Sequence, residues 1–79
     1  MMSGPFSIEE IENEIYQLVV SSKAREGHTF PARYVMLNMD KNGYTRDDFL
    51  AGIDSLLKKG LITEDEKIAE NFFAELRSI

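Results

Sequence analysis

His28 is the only histidine in the chain, and none of its 79 residues is a cysteine. A zinc site needs four converging ligands drawn mostly from Cys and His, so His28 reads as a loop residue and not as a metal ligand. Without a thiol there is no disulfide framework, thiolate metal site or cysteine nucleophile. Asp40-Lys41-Asn42-Gly43 opens like a calcium-binding loop. Such a loop takes Gly at its sixth position and a bidentate Glu at its twelfth, where this chain has Thr45 and Ala51. No Gly-rich phosphate loop, nucleophile elbow or HExxH motif occurs. The residue inventory therefore points away from an enzyme, with no catalytic residue, no metal and no cofactor expected.

Helix signals account for most of the chain. Ser7 and Glu10 form a capping box, and Ile8, Ile11, Ile15, Leu18 and Val19 then recur at helical spacing, with Glu10, Asn13, Glu14, Gln17 and Ser21 opposite. Gly27 suits the positive-φ position that follows a helix, and Lys23 and Arg25 sit near the negative end of its dipole, so this helix should end near Arg25. Thr29 and Pro31 open a short second helix over residues 31–39, with Ala32, Val35, Met36 and Met39 inward and Asp40–Gly43 as the closing turn. Thr45 and Asp48 cap a third helix whose expected buried stripe is Phe49, Leu50, Ile53, Leu56 and Leu57. Gly60 fits a Schellman ending, with Leu61 packing back on Leu56.

The last segment admits two readings. Thr63 and Glu66 form another capping box, and Ile68, Phe72, Leu76 and Ile79 recur at spacings of 4, 4 and 3, which favours a helix over residues 64–77. The alternative is a two-stranded wing pairing residues 60–63 with 71–74. The linking residues lack Gly and Pro turn chemistry and are good helix formers, so the helix is preferred.

Apolar residues make up 43% of the chain and charged residues 29%, a globular balance and not that of a disordered tail. The expected organisation is a flexible N-terminus at residues 1–6 and one domain over residues 7–79, either winged-helix-like or a four-helix unit. A core of this size supplies only about 3–5 kcal/mol, which makes a homodimer or a protein partner an expected source of support. Met1–Phe6 lacks the basic and apolar regions of a signal peptide, and no 18-residue apolar run occurs. A cytoplasmic location with no membrane partner is the resulting expectation.

Residues 30–62, from Phe30-Pro-Ala-Arg-Tyr-Val through Asn42-Gly-Tyr-Thr-Arg-Asp to Leu56-Leu-Lys-Lys-Gly-Leu-Ile62, resemble the helix-turn-helix core of winged-helix proteins. The resemblance implies a mainly α fold with a helix-turn-helix core, a third helix in the recognition position and dimerisation through added terminal helices. Tyr44, Thr45, Arg46, Asp47 and Ala51 would then meet base edges. The chain departs from that family in two places. Glu64-Asp65-Glu66 stands where a basic, Gly-tipped wing belongs. Helical phasing also puts Asp47, Ala51, Asp54, Ser55 and Lys58 on the outer face, with two carboxylates where phosphates would approach.

The net charge of −5 is unevenly spread. Residues 1–22 carry four acids and no base; residues 23–46 carry Lys23, Arg25, Arg33, Lys41 and Arg46 against Glu26 and Asp40; residues 47–79 carry four bases and eight acids. The middle is basic, and its bases are expected to pair with the neighbouring acidic helices or to meet an acidic partner or phosphate. Tyr16 and Val20 lie beside the first helix's core stripe, and the Phe72-Phe73 doublet spans too wide an arc for both rings to be buried in so small a body. Tyr16, Val20, Phe72 and Phe73 are therefore the candidate protein interface. The favoured function is a small regulatory or adaptor domain acting by protein–protein interaction, including self-association. The alternative is a DNA-binding transcriptional regulator, with Arg33, Lys41, Tyr44, Thr45 and Arg46 as its nucleic-acid contacts.

Overall fold

The computed structural model describes residues 6–77. It is mainly helical, with α1 (Ile8–Ser22), α2 (Ala32–Lys41), α3 (Arg46–Lys58) and α4 (Phe72–Arg77) in chain order. The expected flexible segment 1–6 lies outside the described residues except for Phe6, whose ring stacks on Tyr44 at a centroid distance of 4.0 Å. Ile79, expected as the last apolar position of the C-terminal helix, also lies outside them.

Local side-chain chemistry sets two helix starts. At α1 the Ser7 Oγ accepts from the Glu10 N–H (3.1 Å) while the Glu10 carboxylate accepts from the Ser7 N–H (2.9 Å). Thr45 and Asp48 repeat the arrangement at α3. Each box satisfies two backbone donors that the first helical turn leaves without partners. α3 ends as the sequence indicates: Gly60 takes φ +75°, the Leu61 N–H donates to the Leu56 carbonyl, and both leucine side chains are buried. α1 stops at Ser22, three residues before the expected end, because Lys23 itself takes the left-handed conformation at φ +67° and donates its N–H to Val20. Gly27 uses its positive φ elsewhere, to donate to the Ile68 carbonyl at 2.8 Å.

The C-terminal segment corrects the sequence reading in detail. The helix is present but begins at Phe72, not near residue 64. Thr63 and Glu66 do not cap it. Instead Glu64-Asp65-Glu66 forms a three-residue hairpin loop: the Glu66 N–H donates to the Thr63 carbonyl, Glu66 sits at φ +63°, and the Thr63 N–H donates to the Lys67 carbonyl. A type I turn followed by a left-handed residue is a standard three-residue hairpin connection, usually with Gly in the last place. The first arm of the hairpin falls where the alternative reading put it. The second is residues 67–68, not 71–74, with single bridges Ile62–Ile68 and Thr29–Lys67. Thr29, expected to start α2, belongs to this pairing instead.

α1 runs through the centre and packs on α2, α3 and α4. Its Ile11, Ile15 and Val19 are buried, as expected. The face of α3 turned to it is Asp48, Phe49, Gly52 and Leu56. Leu50 and Leu57, expected in the core, are 50% and 39% exposed. Gly52 explains the rotation: a Cβ there would lie 2.6 Å from Ile11 Cγ2 and from Ile15 Cδ1, so α1 closes on bare α3 backbone. Glu12, wholly buried, lies along the same seam. Its carboxylate accepts from Lys59 Nζ at 2.8 Å and from the Ser55 hydroxyl, which provides a buried charge with the partners it requires.

Candidate interaction surfaces

Three of the four candidate interface residues come together. Tyr16 and Val20 on α1, the loop Lys23–Glu26 that follows, and Phe73 on α4 line a groove of about 540 Å³. Tyr16 and Phe73 are half-buried, with ring centroids 6.2 Å apart and edge-on, while Val20 is 45% exposed. Phe72 is a correction. Its ring is completely buried, 5.0 Å from Phe73 and 6.3 Å from Tyr16, so it buttresses the groove from below and cannot meet a partner. The doublet thus divides as its 100° arc requires, one ring inward and one at the surface.

The groove's rim is charged. Lys23, Arg25 and Glu26 are exposed, and none of them forms an ion pair. Ion pairs among the described residues join Lys58 to Asp54 (3.0 Å) and Lys59 to Glu12 (2.8 Å) instead. The expected pairing of the basic middle segment with its acidic neighbours is therefore absent for Lys23, Arg25, Arg33, Lys41 and Arg46. His28, beside this rim, accepts the Arg25 backbone N–H at Nδ1 (3.2 Å) and serves as a turn residue.

The five candidate nucleic-acid contacts are less coherent. Thr45 commits its hydroxyl to the α3 capping box. Tyr44 is half-buried under Phe6, and its phenol is held above the ordinary tyrosine value by burial first and then by the carboxylates of Glu14, Glu10 and Asp48. Arg33, Lys41 and Arg46 are exposed. Arg46 lines a small hollow with Tyr44 and Thr45, Arg33 lines the adjoining one, and Lys41 lines neither. The outward side of α3 presents Asp47, Leu50, Ala51, Asp54 and Leu57, and its Lys58 is engaged by Asp54. A surface of carboxylates and leucines offers phosphate little.

Sequence reasoning missed the apolar part of this face. Leu37, at 50% exposure, stands with Leu50 and Leu57 among the most exposed large apolar side chains. The signal for Leu37 lay in its position off the inward set of α2. No signal marked Leu50 and Leu57, since their spacing is that of a core stripe. No helix among the described residues is long and apolar enough to cross a membrane. Comparison with family models, with curated proteins and with solved structures returns no match to the chain.

Proposed function

We propose that the chain is a non-enzymatic protein-interaction domain, a small regulator or adaptor, and that the groove of Tyr16, Val20 and Phe73 is a docking surface through which it self-associates. One observation carries this reading: Tyr16 and Val20 of α1 converge with Phe73 of α4 on an open groove whose rim charges form no ion pair among the described residues. Aromatic residues in such grooves contribute large contact area at low entropic cost. The rim carries both signs, Lys23 and Arg25 with Glu26. A two-fold pair can use that, because each patch then meets its own complement. A cytoplasmic setting belongs to the same proposal and rests on the cysteine-free composition.

Sedimentation velocity over a concentration series tests it. Wild type is expected to gain apparent mass with concentration, while Val20→Asp and Phe73→Ser stay monomeric. Val20 is exposed, so its variant separates lost association from lost folding. Monomers throughout for all three proteins would remove the reading.

A DNA-binding regulator of the winged-helix type is the second reading, favoured by the element order, the small hairpin after α3 and the unpaired Arg33, Lys41 and Arg46. It predicts salt-dependent retardation of random duplex that Arg33→Ala with Arg46→Ala weakens and flattens. An absence of retardation at micromolar protein and low salt would eliminate it.

A further inference from the structure

The face between α2 and α3 carries an apolar floor that the protein leaves open. Two adjoining hollows, of about 400 and 210 Å³, share Met36 and Leu37. Phe49 and Ala32 complete the larger one, and Tyr44 helps to form the smaller. Leu50, half-exposed one turn beyond Arg46 on α3, extends the same apolar character. Met36 supplies an unbranched side chain that can adapt to an incoming group.

Each hollow carries one arginine, alone in the larger and beside Asp40 in the smaller. Arg33 stands at the larger hollow and Arg46 at the smaller, and neither has an ion pair among the described residues. The α2 N-terminus adds to this. Pro31 precedes it with no side-chain cap, its first turn holds no acid, and the Arg33 and Tyr34 N–H groups find no acceptor among the described residues. An uncapped helix start carries a partial positive charge and free donors. α1 and α3, in contrast, both begin with a capping box and acidic residues. Asp40 lines the smaller hollow and Asp47 follows Arg46, so the Arg33 end, whose hollow holds no acid, is the stronger acid-accepting position and Arg46 the weaker.

We infer that this face is a second docking site, distinct from the Tyr16–Phe73 groove, and that it takes a short amphipathic helix of a partner protein. The helix sets two or three apolar side chains into the hollows and places its flanking carboxylates against Arg33, the α2 N-terminus and Arg46. Helix-in-groove binding reads apolar anchors at i, i+4 and i+7, and here charge complementarity fixes the sign of the flanks. Duplex DNA fits less well, because the apolar floor and the α3 carboxylates occupy the surface phosphates would need.

The test is a displayed peptide library with apolar residues fixed at i, i+4 and i+7 and all other positions randomised, selected against the full chain. Fluorescence anisotropy of individual selected peptides follows. Selected peptides are expected to carry Asp or Glu at the flanking positions and to bind more weakly as salt rises. Leu37→Ser and, separately, Leu50→Ser are expected to weaken binding about tenfold. The double variant Arg33→Glu with Arg46→Glu should do so by about tenfold as well. All four side chains are at the surface, and circular dichroism verifies that the variants fold. Val20→Asp, in the other groove, should leave peptide affinity unchanged even where it abolishes self-association. Failure to enrich any peptide, enrichment of basic or uncharged flanks, or affinities indifferent to these variants would overturn the inference. Retardation of random duplex DNA that the arginine variants abolish would overturn it in favour of nucleic acid.

Discussion

Replacing Gly52 with Ala tests the packing that positions both surfaces, because α1 contributes to one and α3 to the other. In the interior of an exposed helix the change would stabilise by about 1 kcal/mol through helix propensity. At Gly52 the new Cβ would lie 2.6 Å from two isoleucine carbons, where favourable contact is about 3.5–4.0 Å. Ile15 Cδ1 is the far end of its side chain and can rotate away. Ile11 Cγ2 is fixed to Cβ, and the χ1 of a helical isoleucine is held in one rotamer, so α1 itself must retreat by about 1 Å. Overpacking of this kind costs about 1–3 kcal/mol, which offsets the propensity gain and leaves a net loss of up to about 2 kcal/mol. For a chain this small, urea unfolding with a slope of about 1 kcal/mol/M would place the variant's midpoint up to about 2 M below wild type. Ala51→Gly is the control: its side chain is exposed, and it should cost about 1 kcal/mol through propensity alone. A Gly52→Ala protein more stable than wild type would refute the close approach of α1 to α3.

Three further outcomes follow from single sites. Lys59→Met leaves the buried Glu12 carboxylate with Ser55 as its partner, and chemical denaturation should register a loss of about 3 kcal/mol, the low end for a broken buried pair because Lys59 is half exposed. Glu66→Gly relieves a left-handed non-glycine residue in the hairpin loop and should add about 0.5 kcal/mol, raising the melting temperature by about 2–4 °C, whereas Glu66→Val should lower it. Tyr44 should ionise above the ordinary tyrosine value in an alkaline titration followed at the phenolate band. Its folded value is raised, so the stability it contributes is complete below the unfolded tyrosine value near 10 and declines as pH rises through the folded value. Removing the carboxylates of Glu14 and Glu10 should bring its titration closer to the ordinary tyrosine value.

The helix starts were readable because they depend on residues three apart. Ser7 with Glu10 and Thr45 with Asp48 form their boxes irrespective of the rest of the fold. Thr63 with Glu66 has the same spacing and forms a hairpin turn, since Glu66 accepts a left-handed backbone that its side chain does not advertise. The apolar pattern there was ambiguous for a geometric reason. Ile68, Phe72 and Leu76 are all buried, yet spacings of four are multiples of the strand period as well as near the helical one. The α3 stripe was misplaced because its buried face is centred on a glycine and includes a buried Asp48, neither of which adds hydropathy. Glu12 was invisible for the same reason: burial of a carboxylate depends on Lys59 and Ser55, more than forty positions away. The convergence of Tyr16, Val20 and Phe73 was legible as surplus apolar residues, but which phenylalanine faced inward depended on where α4 begins.

Amide chemical shifts followed on dilution test the proposed self-association most directly. Signals of Tyr16, Val20, Lys23–Glu26 and Phe73 should move together with concentration, and Val20→Asp should abolish the movement while leaving the remaining spectrum folded. Shifts independent of concentration, or movement centred on residues outside this groove, would contradict it.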